Sequence, residues 1–188
     1  MKFIEIIQKT IQIISTPAKM WELLLKENND HSKNFFFFYS LLALNIAATF
    51  FGTLLNEADY PFIKSLLKAL IWGIAIYVGY WGIYFVLVEF ILKRFEAFLT
   101  KQEAHLLLIY SFVLSLAISI LTALFPDLFF IKIAYIYTLF IVWEGTGKII
   151  PSFDENKRSN FVLLFSCSII LIPTIIYQIL ILAVPAAQ

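Results

Sequence analysis

The chain holds a single cysteine, Cys167, and two histidines, His31 and His105. One cysteine excludes an intramolecular disulfide and leaves the redox compartment unread. With no dense Cys/His cluster and no nucleophile beside a histidine, the sequence offers no zinc-type ligand set and no Ser-His-Asp or Cys-His arrangement. No catalytic residue, metal or cofactor is expected, and enzyme is the least favoured class. Charge is also scarce, at 14% of residues against about 25% in ordinary soluble domains. A formal net charge of +1, without a basic patch, excludes nucleic acid as an expected partner. Glu5, Gln8 and Lys9 interrupt the apolar core that a cleavable signal peptide would need, so the N-terminus is expected to be retained.

Apolar residues are abundant: 61% are hydrophobic and 18% aromatic, with a mean hydropathy of +0.87. Five apolar stretches cover about 35–55, 65–89, 105–125, 128–143 and 160–184. A helix rising 1.5 Å per residue needs about 20 residues to cross roughly 30 Å of hydrocarbon, which four of the stretches supply. The expected fold is all-α: an integral membrane five-helix bundle over 35–188, preceded by amphipathic interfacial helices within 1–34. No room is left for a soluble catalytic domain. The fourth stretch is short and carries Lys132, expected within about one turn of its start, where it reaches the interface. Pro173 predicts a kink in the fifth.

Ahead of the spans, Phe3, Ile7, Ile11 and Ile14 recur at helical spacing with Glu5, Gln8, Lys9 and Gln12 elsewhere, which predicts a helix lying on the membrane surface. Thr16 as N-cap and Pro17 at the first helical position predict a second short helix, with Trp21 at headgroup depth. Of the 14 basic residues, all but Lys64, Lys68 and Lys132 fall on the side of the N-terminal segment. That bias predicts a cytoplasmic N-terminus and an external C-terminal VPAAQ.

Charged groups at span edges are the local leads, because burying them in hydrocarbon costs about 2.5–3.5 kcal/mol. Glu89, His105 and Glu144 all fall at one level, and if their helices met they would offer a cation or solute site or a proton relay. The plainer reading pairs Glu89 with Lys93 and Glu144 with Lys148, and leaves His105 partly wet at the interface. Ser111, Ser115, Ser119 and Thr122 on span three, and Asn45, Thr49 and Gly52 on span one, form polar-small stripes that read as close packing, within the bundle or in a homo-oligomer, more readily than as a solute path. Tyr77, Tyr80, Trp81 and Tyr84 read as packing rather than a cage for an organic cation. The GTGK at Gly145 lacks the rest of a phosphate loop and reads as a glycine-capped helix end.

A pattern runs through the whole chain: Pro17 and Trp21 in STPAKMW, Tyr110 and Ser111 opening span three and Pro126 closing it, and Trp143 and Gly145 ending span four. It resembles the Yip1 domain family. The resemblance implies five spans with a cytoplasmic N-terminus, and its composition is that of a bacterial member in the cytoplasmic membrane. Eukaryotic members bind small GTPases in vesicle traffic through a longer N-terminal region than this one. The implied function is a non-enzymatic scaffold organising membrane partners or lipid, with Pro17 and Trp21 as candidate interaction surface. The alternative is a small transporter or channel for a cation or other solute, using Glu89, His105 and Glu144.

Overall fold

A computed structural model describes residues 3–26, 31–56 and 62–184. Residues 1–2, 27–30, 57–61 and 185–188 lie outside the described residues, and with them the end of VPAAQ. The described residues contain helices and no strand: α1 (Phe3–Ser15), α2 (Pro17–Lys26), α3 (His31–Asn56), α4 (Phe62–Val86), α5 (Leu92–Arg94), α6 (Lys101–Leu124), α7 (Tyr137–Ile149) and α8 (Glu155–Ala183). A π-helical turn, Leu87–Ile91, joins α4 to α5, and a 3₁₀ stretch, Pro126–Ile136, leads into α7. Five helical elements are long and apolar enough to cross a membrane: Ser32–Asn56, Phe62–Arg94, Lys101–Leu124, Pro126–Ile149 and Glu155–Ala183. Their outer faces carry Phe51, Leu55, Ile74, Phe85, Leu171 and Ile179 in the open, an apolar surface suited to lipid rather than water.

α6 is the axis of the bundle, 67% buried over its most apolar stretch against 22% for the fourth and fifth spanning elements. Its start is fixed by a reciprocal cap: the Thr100 hydroxyl accepts from the Glu103 amide at 3.2 Å while the Glu103 carboxylate accepts from the Thr100 amide at 2.8 Å. Asp154 opens α8 by accepting from the Lys157 amide at 2.7 Å. α3 meets α6 most closely at Gly52, where a Cβ would stand 1.9 Å from the Ala123 carbonyl oxygen, so only glycine permits that approach.

Several sequence expectations change. The second span does not stop at Glu89, since the π turn carries the helix on to Arg94. The fourth is not short: eleven 3₁₀ residues and thirteen α-helical ones make one element from Pro126 to Ile149. A 3₁₀ helix rises about 2.0 Å per residue, so no thinned bilayer is required. Lys132 consequently stands some 12 Å along from Pro126 at that rise, two 3₁₀ turns in rather than one turn from the start. Thr16 takes the N-cap position of α2, its carbonyl accepting from the Met20 amide at 3.0 Å, but its hydroxyl donates back to the Gln12 carbonyl at 3.2 Å and closes α1. α1 docks through Ile6 and Ile13, while Phe3, Ile7 and Ile11 of the expected membrane-facing stripe stay exposed.

Candidate functional site

The charged trio of the span edges is not gathered. Glu89 lies in the π turn, half exposed, in an ion pair with Lys93 one helical turn on. His105 is 7% exposed, closed in by aromatic rings rather than partly wet. Tyr84 stacks on its ring at 4.2 Å, Phe35 and Trp81 meet it edge-on, and the Tyr80 hydroxyl lies 2.6 Å from Nδ1. Glu144 is half-buried on α7, and Lys148 pairs not with it but with Glu22 of α2, at 2.6 Å. Among the described residues no three His, Cys, Asp or Glu side chains come together as a metal site. The aromatic residues of α4 thus serve to enclose an imidazole.

Pro17 and Trp21 are not a surface. Both are buried, Trp21 completely. Its indole N–H donates to the Ile141 carbonyl at 3.0 Å, its ring meets Tyr110 edge-on at 6.1 Å, and it covers Gly145, where a Cβ would fall 2.6 Å from the indole. Gly145 is therefore a seat for Trp21 inside α7 and not a helix cap, as the helix continues to Ile149. Three residues of the sequence pattern, Trp21, Tyr110 and Gly145, form one packed knot that fastens α2 to the bundle.

The Lys148 ammonium beside Glu22 holds its carboxyl below the ordinary value of 4.5. A depressed folded pKa contributes stability above the unfolded value, and that contribution is lost as pH falls through the folded one. Acidification from neutral to below pH about 4 is therefore expected to loosen α2 slightly in the wild type. In Glu22→Gln that increment of acid sensitivity should vanish, read as tryptophan fluorescence against pH; an unchanged profile would show that the pair contributes nothing.

Deeper in the bundle Asn45, completely buried, ties three spans. Its Nδ2 donates to the Leu116 carbonyl at 2.9 Å, and its Oδ1 accepts from Trp72 Nε1 at 2.8 Å and from the Ser119 hydroxyl at 3.1 Å. This network satisfies polar groups that hydrocarbon cannot, and three of its members, Trp72, Leu116 and Ser119, line a cavity of about 520 Å³. α7 packs against both α6 and α8, whereas the 3₁₀ stretch packs chiefly on α6, so the fourth element and α8 part at the end remote from α1 and α2. The gap is walled by Ile76, Phe112, Leu116, Ile169 and Ile170 and dotted with Thr49, Ser115, Ser119, Thr122, Thr174 and Gln178. Pro173, also in the wall, has no N–H to give the Ile169 carbonyl four residues earlier. Among the described residues Lys132 is the only charged one lining it.

Apolar walls with a few hydroxyls and one cation suit an amphipathic guest, and the volume falls within the roughly 300–1,000 Å³ of small-molecule sites. Ser115, Ser119 and Thr122 of the sequence stripe line this space, while Ser111 is buried in packing. The contributions of Trp72, Tyr135, Tyr177 and Lys132 carried no sequence signal beyond a lone lysine in an apolar run. The chain matches no family model, no curated protein and no solved structure.

Proposed function

We propose that this is a non-enzymatic membrane protein of the Yip1 type that binds and organises lipid, in a bacterial cytoplasmic membrane with α1 and α2 on the cytoplasmic side. The supporting observation is the cavity between the fourth element and α8, mostly apolar in its lining with hydroxyls from three helices. The position of the basic residues supports the orientation, most of them lying on the side of the N-terminal segment. The exposed Phe3, Ile4, Ile7 and Ile11 of α1 provide a second lipid contact, flat on the headgroup layer. Cation transport is the weaker reading, because Lys132 faces the cavity and repels a cation, and Glu89, His105 and Glu144 do not gather.

Native mass spectrometry of the protein, extracted gently from its own membrane, tests the reading. The wild type is expected to retain lipid of defined mass, and Ile170→Trp, which fills the cavity, is expected to lose it while keeping its folded yield. Bare wild-type protein, or equal retention in the filled variant, would overturn the assignment.

A further inference from the structure

We propose that the guest carries a phosphodiester and that the Lys132 ammonium is its counter-ion, an inference that rests on the lipid reading above and names the headgroup class. Lys132 is the sole charged residue on its element between Asp127 and Glu144. It lines the cavity and is exposed, and among the described residues it has no ion-pair partner. An ammonium two 3₁₀ turns into a spanning element is costly in hydrocarbon unless it pairs or reaches the interface. Lysine does the second by extending its stem along apolar surface and lifting its head to the headgroup level. The anion abundant at that level is lipid phosphate.

The count of charges narrows the class further. One ammonium balances one negative charge, and the cavity has no second cation for a dianionic phosphate monoester. A phosphodiester with an uncharged polyol head fits. A zwitterionic head would bring its own ammonium beside Lys132 and be repelled. The polyol hydroxyls find a donor and an acceptor in the Gln178 amide and an acceptor in the Thr174 hydroxyl, both on the cavity wall.

The test titrates detergent-solubilised, delipidated full-length protein with phosphatidylglycerol and phosphatidylcholine of identical chains, reading bound lipid by native mass spectrometry. Wild type is expected to favour phosphatidylglycerol about fivefold, the weight of one basic residue at an anionic lipid surface. Lys132→Gln should bind both lipids with a ratio near one, and Lys132→Arg should keep the preference. Equal wild-type binding of the two lipids would overturn the counter-ion proposal and leave the lipid reading standing. Binding of neither would overturn both. Displacement of phosphatidylglycerol by an equal concentration of soluble glycerophosphoglycerol, the same phosphodiester without its chains, would show a site for the free phosphodiester and overturn the lipid source.

Discussion

Trp21→Ala is expected to lower stability by about 3–5 kcal/mol, the cost of emptying a fully buried large side chain. The indole fills the seat at Gly145, packs on Tyr110 and donates to Ile141, so its loss opens a void and removes a buried hydrogen bond together. Trp21 is the largest of the buried side chains that dock α2, beside Pro17, Met20, Leu24 and the exposed Glu22–Lys148 pair. Unfolding in detergent, followed by the fluorescence of the remaining tryptophans, checks the value. A surface Trp21 would instead cost within about 0.5 kcal/mol, and that result would contradict the buried position.

Gly52→Val is expected to be comparably severe. The atoms that a Cβ would meet, the Ala123 carbonyl oxygen at 1.9 Å and carbon at 2.6 Å, belong to backbone, so no side chain can rotate away. α3 and α6 must separate, and the Asn45 bonds to Leu116 and Ser119 on the same helix pair are stretched with them. Overpacking alone costs about 1–3 kcal/mol, and the broken polar contacts in lipid add to it. Gly82→Ala is the control, because its Cβ would meet only Ile172 at an ordinary 3.5 Å. Monodisperse yield after extraction separates the two: Gly82→Ala near wild type, Gly52→Val largely lost. Equal yields would show that α3 and α6 are not held at that contact.

Much of this architecture is legible in the chain because hydrocarbon leaves little choice. Five apolar runs have to be helices, since no other open structure satisfies its own backbone there. The Glu89–Lys93 pair is legible for a similar reason, being local to one helix. What was misread depends on distant residues. Trp21 stands between Met20 and Glu22 in a short amphipathic helix and reads as interfacial; its burial is decided by Gly145, far along the chain. Lys148 has Glu144 one turn before it, yet the docking of α2 offers Glu22 instead. The fourth element reads as short because its apolar run covers only Leu128 to Trp143, and an apolar run does not distinguish 3₁₀ from α. The cavity was hidden in the same way. A hydroxyl every third or fourth residue on α6 looks like packing until the 3₁₀ stretch and α8 are seen to part.

Where lipid binds is the central claim, and photocrosslinking measures it most directly. Membranes loaded with a phospholipid bearing a diazirine in its acyl chain would be irradiated, and the adducts mapped by peptide mass spectrometry. Adducts at Phe129, Ile170 and Tyr177, the cavity wall, that fall selectively in Ile170→Trp would bear the account out. Adducts spread evenly over the outer faces at Phe51, Ile74 and Phe85, with none in the cavity, would contradict it.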